Sequence, residues 1–154
     1  MSDKSPPISF ADYQALTNLD AVYWAIADGQ HQAGAEMLFI PEGVLTLGKL
    51  ELQGRDAIAK FFTEREAQNK QSDRATRHVA GSRSVELTGK ASAVLRSVVL
   101  VFAGSGELPL EAGAPSTIAD VMDHCVRHHD NAWLFQSRIV KPIFVGAGAA
   151  KFAR

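Results

Sequence analysis

The stretch ADVMDHCVRHHDNAWLFQSRIV, residues 119–140, decides the fold. The three- and four-residue spacing of a helix is absent from it, and Asp130 and Asn131 near its middle suit a tight hairpin turn. The stretch therefore predicts two long strands joined by that turn, over residues 117–129 and 132–145.

Two more long strands are predicted upstream, over residues 76–88 and 91–103, with a turn around Gly89. Together the four strands form a meander. Two shorter strands are predicted in GVLTLG and KLELQG, which meet around Gly48.

The first part of the chain has the periodicity of helices instead. Ser9 can cap a helix whose apolar residues recur every three or four positions over residues 10–26, and Gly29 can end it. A second, short helix is predicted over residues 32–39. The third is GRDAIAKFFTEREAQNK, residues 54–70.

Helices followed by a strand meander predict an α+β fold. We expect a cone-shaped, curved antiparallel sheet that wraps around about three N-terminal helices and encloses a pocket, because such a hollow is a natural ligand site. A single domain is predicted over residues 9–145. A flexible arm, residues 1–8, precedes it, and a flexible tail rich in small residues, 146–154, follows it.

Composition argues against several classes of partner. The 154 residues include 16 basic and 17 acidic ones, so no basic surplus points to nucleic acid or to a membrane surface. The longest apolar run, residues 98–103, is far shorter than the roughly 20 residues of a membrane span. Cys125 is the single cysteine, which rules out an internal disulfide and favours a reducing cytoplasm.

Several motifs taken in order resemble the SnoaL-like branch of the nuclear-transport-factor-2-like superfamily. They are YWAIADGQ, LFIPEGVLTLG, LQGRDAIAKFF, TRHVAGS, the stretch 119–140 and a closing PIF, spread over roughly residues 10–145. The resemblance implies a bent sheet coned around helices, with a pocket inside. It also implies a homodimer through the outer face of the sheet, with which the apolar residues on both faces of AVLRSVVLVF agree.

The resemblance also implies a catalytic pair. Members similar to scytalone dehydratase and bile-acid dehydratase use a histidine and an aspartate in the pocket, and the matching positions here are His78 and Asp28. A tyrosine and a last-strand arginine recur in such enzymes, at positions that correspond to Tyr23 and Arg138. A neutral imidazole can remove an acidic α-proton, while a carboxylate fixes its tautomer and stabilises the imidazolium.

Each of these four residues has a structural alternative. His78 could be a strand-end histidine in solvent, and Asp28 could cap the end of its helix. Tyr23 could pack in the core with its hydroxyl at the rim, and Arg138 could be an exposed strand charge rather than a clamp for an oxyanion.

Strand geometry predicts which side chains accompany His78. Adjacent strand residues point to opposite faces, so His78 is expected to face the pocket and Arg77 the solvent. Ala80 and Ser82 would share the pocket side, and Ser82 is a candidate substrate contact.

Aromatic residues are the remaining candidates for substrate contact. Trp24 and Phe39 could line the pocket, and core packing is the alternative for both. Trp133 could cover a flat apolar ligand, although an anchor in the core of the sheet is the competing role.

The histidine-rich segment DHCVRHHD does not predict a metal site. His124 and His128 share a strand face, but at about 3.3 Å per residue they lie roughly 13 Å apart, too far for one ion. His128 and His129 face opposite sides. Cys125 is expected to be a small buried residue.

These features lead to a functional hypothesis: a cofactor-free lyase or isomerase, dehydratase-like, acting on a hydrophobic, cyclic or polyketide-like carbonyl compound. The chain departs from the family pattern in two strands. ASAVLRSVVLVFAG lacks the second histidine of scytalone-type enzymes, and GVLTLG lacks the acidic base of steroid-isomerase relatives. The alternative is therefore a non-catalytic ligand-binding or assembly protein that resembles the small subunit of ring-hydroxylating dioxygenases.

Overall fold

The computed structural model describes residues 6–154, so most of the predicted N-terminal arm lies outside the described residues. The fold is α+β, as predicted. In chain order its main elements are α1 (Phe10–Ala27), β1 (Phe39–Leu47), β2 (Leu50–Gln53), α2 (Gly54–Gln71), β3 (Arg74–Gly89), β4 (Ser92–Ser105), β5 (Thr117–Arg127) and β6 (Trp133–Val145).

Both ends of α1 lie where local chemistry places them. The Ser9 hydroxyl accepts a hydrogen bond from the Asp12 backbone N–H at 3.0 Å, which satisfies one of the free donors of the first turn. Gly29 follows the helix with φ +70°, a conformation that favours glycine. The predicted limits of this helix are therefore confirmed.

The predicted second helix over residues 32–39 is wrong. Between α1 and β1 the chain makes a single 3₁₀ turn, Ala35–Leu38, and Phe39 already belongs to β1, where it pairs with Phe135 of β6. A segment this short nucleates a helix poorly, and pairing with a distant strand competes with its local propensity. The described residues thus contain two α-helices rather than about three.

The strand order is β2-β1-β6-β5-β4-β3. Neighbouring strands in this order run antiparallel, except β1 and β6, which run parallel with Leu45 opposite Arg138. The sheet is therefore mixed rather than antiparallel as predicted. The sequence pattern of a meander predicts pairing between strands that follow one another along the chain. It does not predict the β1–β6 pair, because these two strands are far apart in the sequence and are joined through a long crossover, as parallel strands require.

The curved, unclosed sheet packs its inner face on α1. Along β5 the side chains of Val121 and Cys125 are buried against the helix, while Asp120 and His124 on the other face are exposed. The core around α1 contains Leu16, Leu19, Tyr23, Trp24, Phe39, Leu45, Val99, Val121 and Phe135. No helix in residues 6–154 is both long and apolar enough to cross a bilayer.

The chain after β6 returns to the body of the fold. Lys151–Ala153 forms a 3₁₀ turn, and the Phe152 ring packs against Phe61 of α2 with centroids 5.8 Å apart. The Phe152 carbonyl accepts a hydrogen bond from the Lys49 backbone N–H at 3.2 Å. That this tail is flexible stays a prediction.

Candidate active site

His78 and Asp28 meet although 50 residues separate them. His78 lies in β3, and Asp28 directly follows α1. The imidazole Nδ1 is 2.6 Å from Asp28 Oδ1, and the His78 backbone N–H donates to Asp28 Oδ2 at 2.8 Å. One carboxylate therefore holds both the ring and the backbone of the histidine.

This contact assigns the tautomer of His78. An ionised carboxylate can only accept, so Nδ1 carries a proton, and in a neutral imidazole Nε2 then holds the lone pair. The pKa of Asp28 is lowered: burial alone would raise it, but hydrogen bonds from His78 and Thr76 outweigh that effect. The pair is nearly closed to solvent, with side chains 9% and 3% exposed for His78 and Asp28.

Thr76 and Arg65 complete the surroundings of the pair. The Thr76 hydroxyl donates to Asp28 Oδ1 at 2.8 Å. Arg65 of α2 donates to the Ala27 backbone carbonyl, and its other terminal nitrogen lies 3.5 Å from Thr76 Oγ1. Burial lowers the pKa of Arg65, although Tyr23 and Asp28 act in the opposite direction. Arg65 thus brings a positive charge next to the carboxylate.

Sequence analysis missed both residues, and they differ in how easily they could have been found. Thr76 lies two positions before His78, and side chains two apart in a strand share a face, so strand geometry could have identified it. Arg65 had no comparable signal. Its partner Ala27 lies 38 residues away along the chain, and only the packing of α2 against α1 brings them together.

Trp24 packs against the imidazole of His78. Its ring stacks on the imidazole of His78 with centroids 4.6 Å apart and an interplanar angle of 15°. Asp28 therefore holds the imidazole at its edge, and Trp24 covers one of its faces.

A cavity of about 630 Å³ lies beside this arrangement. That volume is in the range of pockets that take drug-sized ligands. Apolar side chains form much of its wall: Trp24, Ala27, Leu47, Phe61, Phe62, Val99, Val101, Val140 and Phe152. Polar side chains also line it, and they are Glu64, Arg65, Gln68, Asn69, Ser72, Arg74, Thr76, His78, Ser116, Thr117 and Lys151.

The site can therefore present an imidazole and a guanidinium to an apolar guest. Asp28 does not line the cavity and reaches a guest through His78. A base held in one orientation beside a positive charge is suited to removing a proton next to a carbonyl group.

Comparison with known proteins identifies the family. The sequence profile of the SnoaL-like domain matches residues 9–139. The chain belongs to the SnoaL-like domain family. No curated protein matches its sequence.

Solved structures support the fold of this SnoaL-like protein. ActVI-ORFA from Streptomyces coelicolor is 19% identical, with 90% of this chain and 99% of that chain covered and a TM-score of 0.75. A proposed scytalone dehydratase from Novosphingobium aromaticivorans is 19% identical, with 92% and 96% covered and a TM-score of 0.71. A proposed aromatic ring hydroxylase from the same species is 14% identical, with 96% and 100% covered and a TM-score of 0.75.

Tyr23, one of the predicted catalytic residues of this SnoaL-like protein, lines the cavity. Burial raises the pKa of its phenol to about 12, so the hydroxyl stays protonated and can donate a hydrogen bond. The ring also packs edge-on against Trp24, Phe39 and Phe135. Tyr23 thus combines a core role with a face on the cavity.

Arg138 does not reach the cavity. Its side chain is fully buried and contacts Asp20 and Asp123, and its guanidinium lies over the rings of Tyr23 and Trp24. The expected clamp on a substrate oxyanion is therefore wrong for this residue. Two carboxylates on neighbouring elements hold the guanidinium in the core.

Three predicted substrate contacts lie away from the cavity. Phe39 is fully buried among the rings of Tyr23 and Phe135. Trp133 donates from Nε1 to Asp12 at 3.0 Å, at the start of α1. Ser82 is exposed, with φ +51°, because an irregularity in the β3–β4 pairing after Gly81 breaks the alternation that would have aligned it with His78.

The remaining histidines lie apart from this site. His124 is exposed on the outer face of β5, and His128 and His129 follow at its end. Within residues 6–154, no group of three or more histidine, cysteine or acidic side chains could hold a metal ion. Burial raises the pKa of the Cys125 thiol, so this cysteine is a poor nucleophile.

Proposed function

We propose that this protein is a cofactor-free lyase or isomerase that acts on a hydrophobic, cyclic or polyketide-like carbonyl compound. The observation that carries the proposal is the 2.6 Å contact between His78 and Asp28 at the wall of a cavity of about 630 Å³. The apolar lining of this cavity suits an aromatic or alicyclic guest. The proposed reaction depends on proton transfers to and from His78 and requires no cofactor.

The first step would be removal of an α-proton by Nε2 of His78. The C–H electron pair moves onto the carbonyl group and gives an enolate, while the imidazole becomes an imidazolium whose charge Asp28 stabilises. Because Asp28 holds the ring through Nδ1, no reorientation is needed before the proton is taken.

The negative charge of the enolate would fall on the carbonyl oxygen. Arg65 and Tyr23 both line the cavity and both can donate a hydrogen bond. Oriented donors in a site that excludes water stabilise such a charge more than water does. We therefore assign the oxyanion contact to Arg65 and Tyr23.

The second step depends on the substrate. With a β-hydroxyl group, the enolate expels it as the β C–O bond breaks, and the imidazolium gives its proton to the departing oxygen so that water leaves. Without a leaving group, the proton returns to another carbon of the conjugated system and the reaction is an isomerisation. One imidazole can serve both steps.

A non-catalytic ligand-binding protein is the second candidate. The strand next to His78 lines the cavity with Val99 and Val101, which are apolar. No second acid–base group therefore comes from the position where scytalone-type enzymes carry their additional histidine. A binding protein would keep the cavity and use His78 to orient a ligand.

We also propose a homodimer through the outer face of the sheet. A row of apolar residues crosses four strands there: Val79 pairs with Leu100, Leu100 with Ile118, and Ile118 with Phe144. Val79 and Phe144 are 53% and 65% exposed. An exposed apolar row of this kind favours association with a second copy.

Exchange of α-protons for deuterium tests the base directly. A panel of cyclic ketones and β-hydroxy ketones would be incubated with the protein in D₂O, with proton NMR following exchange and loss of water. His78→Ala should lower the exchange rate about 10³-fold, as expected for loss of a general base. His124→Ala, a matched change at an exposed histidine, should leave it unchanged.

Two outcomes would decide between the candidates. Binding of ketones to the wild type with no exchange above background would support the non-catalytic alternative. Exchange that survives in His78→Ala would remove His78 from the mechanism.

A further inference from the structure

Two residues of α1 and the residue that directly follows it form a stripe along one face of the helix. Asp20, Trp24 and Asp28 are spaced four apart, so their side chains lie one above another. Arg138 contacts the first two, and His78 contacts the last two. Trp24 is thus the one member of the stripe that both the catalytic pair and the buried arginine touch.

Arg138 is held against Trp24 and does not line the cavity. Its guanidinium carbon lies 4.1 Å from the ring centroid of Tyr23 and 4.6 Å from that of Trp24. It is hydrogen-bonded to Asp20, and its Nε is 3.4 Å from Asp123 Oδ1. Burial and these ionic contacts hold the guanidinium over the indole.

Trp24 depends on such ring contacts for its orientation. Its Nε1 is buried and has no hydrogen-bond partner among the described residues. No polar contact therefore determines how the indole is turned. What restrains it is packing: the guanidinium of Arg138, the edge-on ring of Tyr23 at 4.9 Å and the imidazole of His78 at 4.6 Å.

His78 needs the indole because one hydrogen bond does not by itself prevent rotation of the ring about the Cβ–Cγ bond. That rotation would turn Nδ1 away from Asp28 and break the contact between them. A flat indole stacked on the imidazole blocks this rotation. We propose that Arg138 is a positioning residue that fixes the imidazole of His78 through Trp24. The effect on kcat rests on the proposed function, whereas the orientation of the His78 ring does not.

A simple structural role for the buried ion pair makes a different prediction. If Arg138 only neutralises Asp20 and Asp123, any cation at position 138 should serve. If it acts through the indole, a planar group is required, because a lysine ammonium is a point charge and does not stack flat on a ring. Arg138→Lys keeps the charge and removes the plane.

The chain supplies a matched control. Arg83 contacts the same carboxylate, with Nε 2.8 Å from Asp20 Oδ2, but it lies in β3, and within residues 6–154 it forms no cation–π contact with the indole. Arg83→Met therefore weakens the ionic environment of Asp20 and leaves the stack in place.

Nitrogen NMR of the protein with ¹⁵N-labelled histidine would report the tautomer of His78 at a pH where the imidazole is neutral. Its signals would be assigned by their absence from His78→Gln. We expect the single Nδ1–H tautomer in the wild type and in Arg83→Met. We expect a mixture of both tautomers in Arg138→Lys, because a ring that turns loses its fixed partner. Circular dichroism would check that each variant is folded.

Trp24→Leu removes the indole between Arg138 and His78 and keeps the ion pairs of Arg138 with Asp20 and Asp123. It should give the tautomer mixture seen in Arg138→Lys, and the double variant should be no worse than either single one, since both act through one ring. A folded Arg138→Lys protein, or a folded Trp24→Leu protein, that keeps the single Nδ1–H tautomer would overturn the proposal.

The kinetic arm separates this inference from the proposed function. With any ketone that the wild type exchanges, Arg138→Lys should lower kcat about tenfold, as misplacement of a reacting group does, and leave KM unchanged. A wild type that exchanges no ketone would end the proposed function, while the tautomer measurement would still decide whether Arg138 positions His78. A rise in KM with kcat unchanged would contradict the positioning role.

Discussion

The carboxylate of Asp28 accepts hydrogen bonds from both the imidazole and the backbone N–H of His78, at 2.6 and 2.8 Å. The backbone of a histidine held in this way cannot move away from Asp28 without a shift of β3 itself. The pair therefore depends on how α1 is docked on the sheet as much as on the two side chains.

Asp28→Asn should change the tautomer of His78 as well as the charge. An amide group can donate to Nδ1, which moves the imidazole proton to Nε2 and leaves no lone pair toward the cavity. We expect α-proton exchange to fall about 10²- to 10⁴-fold, measured by NMR in D₂O. An unchanged rate would mean that His78 does not act as the base from Nε2.

The same substitution carries a pH dependence of stability. The pKa of Asp28 is lower in the folded protein than in the unfolded chain, so the unfolded chain takes up the proton first as the pH falls. The stabilisation from this carboxylate is present above the unfolded pKa of about 4 and is lost at lower pH. Urea unfolding at pH 7 and pH 3 should therefore give a smaller difference between wild type and Asp28→Asn at pH 3. A difference that grows in acid would contradict the lowered pKa.

Arg65 is expected to contribute to the transition state. Arg65→Met removes a guanidinium that lines the cavity beside Asp28, and the exchange rate should fall about 10²-fold through kcat. Arg74→Met is the matched control, because Arg74 also lines the cavity but donates to the Gly148 carbonyl in the tail. Equal losses in the two variants would indicate a general electrostatic effect rather than an oxyanion contact.

Local chemistry made the ends of α1 predictable. Ser9 and Gly29 act within a few residues of their own position, so their effect can be seen in the sequence. His78 and Asp28 could be paired only through the family resemblance, since nothing in their local sequence joins positions 50 residues apart. The structure brings the two side chains together.

The errors at Ser82 and Arg138 have a common physical origin. Strand alternation predicts the face of a residue only while the register is regular, and the irregularity after Gly81 depends on how β3 pairs with β4. At Arg138 the β5–β6 pairing is also irregular, between Phe135 and Ser137, so alternation from Trp133 and Phe135 does not predict its burial. Nor does alternation reveal that Asp20 and Asp123, from two other elements, hold the guanidinium in the core. Both outcomes require tertiary contacts.

Substitution of Phe144 tests the proposed dimer. Phe144→Glu places a charge at the exposed end of the apolar row on the outer face, where it would be buried unpaired in a dimer. Light scattering at micromolar concentration should give twice the chain mass of 16.6 kDa for the wild type and the chain mass for the variant. Gln136→Glu, at an exposed position of β6 outside the row, is the control. A wild type of 16.6 kDa would contradict the dimer.

Asp123 should make the protein less stable as the pH rises from about 4 to about 7. Two buried carboxylates face one buried arginine, and Asp20 has the better contacts, with Arg138 and Arg83 both bound to it. Burial therefore raises the pKa of Asp123 to about 7, although Arg138 opposes this effect, and both of its carboxyl oxygens lack hydrogen-bond partners among the described residues.

The sign of the effect follows from proton binding. The folded protein keeps the Asp123 proton up to about pH 7, whereas the unfolded chain loses it near pH 4, so the unfolded state binds fewer protons in between. Stability from this group is thus greatest below pH 4, falls as the pH rises toward 7 and is constant above that. Asp123→Asn, which stays neutral, removes the dependence.

Urea unfolding of wild type and Asp123→Asn at pH 5 and pH 8 measures this contribution. Between the two pH values the wild type should lose about 2 to 3 kcal/mol relative to the variant, since one pKa unit corresponds to about 1.4 kcal/mol. Asp120→Asn, an exposed change on the same strand, controls for the loss of an acidic residue. A wild-type-to-variant difference that is the same at pH 5 and pH 8 would mean that Asp123 is ionised throughout, with Arg138 shared equally between the two carboxylates.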